Sequence, residues 1–166
     1  ETTTSRHPDS GAGMCALTEP GEAMTQIDRI ISKGQLVPIV LMQDNLAANQ
    51  NAVALTVAEV ASAAQNAVDS CGMPFSGEIV AITGRLSAAA TAGNLSVAPT
   101  VNGTAKTDPV LAVTTGQSPY DTAPRSTTPF AAGDRIGAKV TTDGSWDGTT
   151  ADIVVVVWVL LYIEGI

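Results

Sequence analysis

From residue 35 onward, apolar side chains recur at every second position in short bursts, and the last burst is the longest. Asp152-IVVVVWVLLYI-Glu164 places eleven consecutive apolar residues between two acids. A bilayer-spanning helix needs roughly 20 such residues. Val and Ile dominate the run, and both are stiff at χ1 and favour strands. As a strand it has two faces. Ile153, Val155, Val157, Val159, Leu161 and Ile163 point one way; Val154, Val156, Trp158, Leu160 and Tyr162 point the other. A strand with one wet face alternates apolar and polar, and this one does not. One face is expected to fill the protomer's own core. The other must be covered as well, and a second copy of the chain is the simplest cover.

The same period of two predicts the remaining strands. Leu36–Gln43 is one, with Pro38 marking an edge or a bulge. Asp44–Asn51 is a polar loop. Residues 52–68 fit either a helical stripe or a short strand; a strand at 52–59 followed by a loop is the reading adopted. After a turn at Pro74 and Gly77, Val80, Ile82 and Leu86 are placed on one side, with Glu78 and Arg85 among the residues on the other. Leu95, Val97, Pro99 and Val101 share a face. Asn102-Gly103 is the strongest hairpin signal in the chain, with a partner strand expected at Pro109–Thr115. A polar loop over 116–128 precedes a strand that presents Ile136, Ala138 and Val140. A second turn, Asp143–Thr150, leads into the final run.

Many short strands with turn signals about every ten residues predict an all-β fold, an antiparallel β-sandwich with jelly-roll-like topology. Residues 35–166 form that domain. Residues 1–34 read as an N-terminal arm, because Met14, Cys15 and Leu17 are the only larger apolar groups before residue 24 and cannot offset the entropy of ordering it. At most a short helix is expected, over Thr25–Lys33, where Ile27, Ile30 and Ile31 fall at helical spacing.

Composition sharpens the expectation of assembly. The chain of 166 residues is 45% hydrophobic and only 14% charged, against about a quarter charged in ordinary domains. Its net charge is −8, and the eight Lys and Arg residues are scattered singly. Phosphate backbones and anionic membrane surfaces are held by clustered cations, so neither direct nucleic-acid binding nor membrane attachment is expected.

Candidate chemistry is sparse. His7, the single histidine, lies in the arm, where no rigid site holds it against a nucleophile. Asp143-G-Ser145-W-Asp147-G148 has oxygens at the first, third and fifth positions of a calcium loop. The twelfth position is Val154 where a bidentate Glu is required, so a hairpin turn with self-capping Asp residues is the expected structure. Trp146, in that turn, is a candidate partner contact or else folds back over the end of the barrel. Asn94 and Asn102 head glycosylation-type triplets that matter only in a eukaryotic secretory setting. Cys15 and Cys71 make no zinc or redox spacing, and whether they pair stays open. No P-loop, GxGxxG, GxSxG or HExxH occurs. No cofactor, metal or catalytic residue is therefore expected.

Four segments carry a resemblance: Met73–Ser87, Thr91–Ala105, Phe130–Trp146 and Thr149–Val159. Together they resemble small β-sandwich structural proteins of tailed-bacteriophage virions, those that decorate capsids or form fibre heads. The likeness covers about residues 36–163. It implies a non-enzymatic homotrimer that binds the major capsid protein or other virion proteins on the outer surface of the particle, most simply as a capsid decoration (cement) protein. Within that expectation Val156, Trp158, Leu160 and Tyr162 form the subunit interface, since Trp and Tyr join an apolar body to a polar tip. Met14, Leu17 and Trp146 are the expected partner contacts. A head or tail fibre domain is the alternative, although these residues contain no shaft. A carbohydrate-binding module is a further alternative, weakened by an aromatic content of 4%.

Overall fold

The computed structural model describes residues 34–58, 68–147 and 152–163. Among these there is no helix, and two curled antiparallel sheets pack together as a β-sandwich. The first sheet contains β1 (Gln35–Gln43), β11 (Ile153–Leu161), β4 (Gly77–Leu86) and β8 (Tyr120–Thr122) in that spatial order, with β9 (Pro129–Phe130) also paired to β4. The second contains β2 (Val53–Ala54), β10 (Arg135–Thr142), β5 (Leu95–Val101) and β6 (Thr104–Ala105). There β3 (Ser70–Gly72) also pairs β10, and β7 (Leu111–Val113) also pairs β5. The pairings are nested. The first strand meets the last, β2 and β3 meet β10, β4 meets β8 and β9, and β5 meets β6 and β7. The contacts β11–β4 and β10–β5 complete the two sheets.

The core lies between the sheets and follows the alternation. Ile153, Val155, Val157, Val159 and Leu161 are all buried, as the odd-numbered face of the final run requires. Ile39 and Leu41 join them from β1. Leu95, Val97, Ile136, Ala138 and Val140 face them from the second sheet. Thr142 is the polar exception on that inner side. Its hydroxyl donates to Ala47 O at 2.7 Å and accepts from the Gln50 N–H at 2.9 Å, which fastens the 44–51 loop over the end of the sandwich.

Several details differ from the sequence reading. The strand expected at 52–59 contracts to Val53–Ala54 plus a single bridge between Met42 and Thr56. Leu55 leaves the strand path to fill the core while its N–H donates to Ala138 O. Asn102 and Gly103 do form the tight turn, at φ 52° and 78°, the left-handed pair that a two-residue hairpin demands. The strand that follows is split into β6 and β7, both along β5. The loop expected at 116–128 contains β8. In β4, Ala81 pairs with Trp158 and Ile79 pairs with Val159, so Val80 is an unpaired extra residue, a β-bulge. The bulge resets the alternation: Ile79 and Ile82 are both fully buried, and Val80, expected on the same side as Ile82 and Leu86, is only half-buried. The expected arm at 1–34, apart from Gly34, and the expected helix at Thr25–Lys33 lie outside the described residues.

Candidate functional site

The even-numbered face of β11 lies on the outside of the first sheet, and the register shows what flanks it. Leu36 sits opposite Leu160, Pro38 opposite Trp158, Val40 opposite Val156 and Met42 opposite Val154. Opposed residues share a face, so β1 doubles the apolar row of β11. Leu36 is 52% exposed, Val40 45% and Val154 42%. Val156, Trp158 and Leu160 are half-buried by one another and by β4. The result is a stripe two strands wide and four side chains long, with no charge on it.

Toward β4 and β8 the same face becomes polar. Thr83 lies beside Val156, Arg85 beside Val154, and Tyr120 beside Thr83. The Trp158 indole reaches across and donates from Nε1 to Thr83 Oγ1 at 3.3 Å. Its ring therefore lies over the border between apolar and polar halves, with its N–H satisfied. The Arg85 guanidinium donates to Ser118 Oγ at 2.5 Å. An apolar centre with a polar margin that carries Trp, Tyr and Arg is the usual anatomy of a protein–protein contact.

One end of this face is already occupied. Glu78 projects outward opposite Leu160, yet is 0% exposed because the 124–128 segment lies over it. Its carboxylate accepts from Arg125 Nε and from the Ser126 N–H. The Arg125 guanidinium also lies 5.9 Å from the centroid of the Tyr162 ring. Burial pushes the Glu78 carboxyl up, but the Ser126 N–H, the Tyr162 hydroxyl and the Arg125 guanidinium outweigh it and hold the group below its usual range. A buried carboxylate with several donors is a stable anchor, here pinning a strap to the sheet. Tyr162, expected at the subunit interface, is thus engaged within its own protomer and bounds the stripe.

The remaining candidates fall elsewhere. Trp146 is 3% exposed and belongs to the core. Gly93, at φ 81°, lies so close to its backbone that a Cβ there would collide with Trp146. Its burial shows that the indole folds back into the core instead of facing a partner, which corrects the partner contact expected of it. In the calcium-like turn, Asp143 accepts from Asn94 Nδ2 at 2.5 Å and from the Ser145 N–H at 3.0 Å. Asp147 accepts from Thr91, and Asp152 accepts from the Asn45 N–H at 3.0 Å. Hydrogen bonds from Asn94 and from Thr91 are the largest influences holding Asp143 and Asp147 below the usual carboxylate range. These acids tie loops together, and among the described residues no cluster of His, Cys, Asp or Glu is suited to a metal ion. Asn94 and Asn102 are likewise bound, to Asp143 and Asp134. Cys71 sits half-buried on β3. His7, Met14, Cys15 and Leu17 lie outside the described residues.

Sequence reasoning found the β11 half of the stripe and missed the β1 half. The signal was present, since Leu36-VPIVLM-Gln43 is apolar on both faces too. Only the register shows that its even positions abut those of β11. No protein-family model, curated protein or solved structure matches this chain.

Proposed function

We propose that this protein is a non-enzymatic structural component of a virion, a trimeric decoration protein that binds and stabilises a phage head. The observation that supports this reading is the uncharged outer stripe of the first sheet. A protein of net charge −8 that keeps a long row of large apolar side chains free of any charge carries an association surface there. The nested strand pairing supports a jelly-roll assignment: counting β2 with β3, β6 with β7 and β8 with β9 leaves eight strands, paired first with last and so inward. The phage resemblance of residues 36–163 supplies the setting.

In this reading the sandwich is a rigid body, and Val156, Trp158 and Leu160 lie in the subunit interface. Residues 1–34, with Met14 and Leu17, tie the oligomer to the major capsid protein or to another virion subunit, and several modest contacts from one oligomer add affinity. Light scattering after gel filtration tests it. A stable mass near three protomers of 16.9 kDa is expected, and a clean monomer across the working concentration range overturns the assembly on which the reading rests.

A further inference from the structure

We infer that the surface by which one copy of this chain holds a second is centred on β1 as much as on β11, and that it ends at Thr83 and Arg85. The inference deepens the assembly reading above and rests on it. It adds Leu36, Pro38, Val40 and Met42 to the contact, none of which the sequence pattern had assigned there. It also fixes the mode of contact as packing of side chains on the sheet face rather than extension of the sheet.

Charge is the first reason for a second copy as the occupant. Two molecules of net charge −8 repel wherever their acids face each other, so they meet most cheaply on a surface that carries none. No acid stands within the stripe, and the exposed acids Asp44 and Asp152 come just past its Met42–Val154 end. Glu78 is buried and paired, and the charges at the margin are Arg85 and Arg125. An uncharged stripe with Arg85 at its side and Asp44 and Asp152 past its end is matched by the same stripe on another copy, where acid can meet cation at the margin.

Area is the second reason, and it sets the boundary. Leu36, Val40 and Val154 are exposed and Met42, Val156, Trp158 and Leu160 are half-buried, so the stripe alone falls short of a whole interface. One side of a standard interface buries about 800 Å². The stripe therefore provides the apolar centre, and Thr83 provides the near edge of a wet rim, with Tyr120 one strand beyond it. Centring the contact on the whole sheet would instead bury Arg85 and press on the Arg125 strap, at the cost of desolvating two guanidinium groups.

The edge of β1 gives the mode of contact. Along β1 the only bridge on the side away from β11, among the described residues, is Met42 to Thr56. Such an edge invites strand addition. Pro38 stands in the middle of it and lacks the N–H that a continuous ladder needs. Strand addition would also leave the stripe in water, whereas face packing covers it.

The test compares full-length variants by light scattering, with far-UV circular dichroism and a thermal melt to confirm that each is folded. Val40→Lys charges the β1 half of the stripe at an exposed position, and Val154→Lys is a second variant at another. Tyr120→Lys charges the far margin of the same face. The expected result is an oligomer for the wild type and for Tyr120→Lys, and a folded monomer for Val40→Lys and Val154→Lys. An oligomer that survives Val40→Lys but is lost in Trp158→Asp shows assembly without β1, which overturns the inference and spares the assembly reading. Loss of the oligomer in Tyr120→Lys as well shows a contact across the whole face and also overturns it. A monomeric wild type removes the assembly reading itself.

Discussion

The two outer faces of this sandwich are built by strands of similar length, and they could hardly differ more in chemistry. Outside the second sheet, β5 and β10 present Ser96 and Ala98 beside Thr141 and Lys139. Those side chains are small or hydrophilic, as on any sheet with one wet side. Outside the first sheet, β1 and β11 present Leu, Val, Met and Trp in register. Both sheets bury the same kind of inner face against each other, so the fold itself needs only one apolar face per sheet. The second apolar face of the first sheet is surplus to folding. Left bare it is an aggregation risk, and the proposed assembly is a physical account of it.

The sharpest break in that comparison is a charge placed on each face in turn. Trp158→Asp is expected to dissociate the oligomer completely, since an unpaired charge buried at an interface costs about 3–5 kcal/mol. Ser96→Asp, on the second sheet, is expected to leave the mass unchanged. Gel filtration with light scattering reads both, and equal behaviour of the two variants would erase the distinction between the faces.

A smaller effect separates inside from outside along one strand. Leu41 is fully buried and its neighbour Val40 faces outward. Leu41→Ala is expected to cost about 2–5 kcal/mol of folding stability. Val40→Ala, measured by denaturant titration at concentrations below assembly, is expected to change it by less than about 1 kcal/mol. A large loss from Val40→Ala in the monomer would mean that the stripe is already covered within the protomer.

The smallest effect concerns the strap that bounds the stripe. Glu78 is held below its usual range by its donors, so its contribution to stability is present above the unfolded value near 4.5 and is lost as pH falls through the lower folded value. Glu78→Gln is expected to lower the melting temperature by several degrees at neutral pH. The gap to wild type is expected to narrow progressively as the pH is lowered below the unfolded value. A gap that stays constant with pH would show that the carboxylate charge is not what holds the strap.

Much of this architecture is legible in the chain itself. The edge position of Pro38, the inward row from Leu95 to Val101 and the Asn102-Gly103 turn follow from local rules, because each depends on a few neighbouring residues. The anchor of the strap does not. Glu78 reads as a surface acid on an amphipathic strand, and nothing near it in sequence announces Arg125 or Tyr162. Trp146 is similar: a turn sequence allows the indole to point either way, and its burial in the core shows which way it goes.

The sequence by itself determined the class of fold, the face of the final strand that fills the core and the surplus of apolar side chains on its other face. Those follow from a two-residue period, which is a property of the chain. Only the tertiary structure decided that β1 lies beside β11, that a bulge at Val80 turns Ile79 and Ile82 to the same side, and that a strap closes one end of the stripe. Strand pairing across more than a hundred residues depends on which edges and faces remain free once the rest has packed, and no local pattern encodes that.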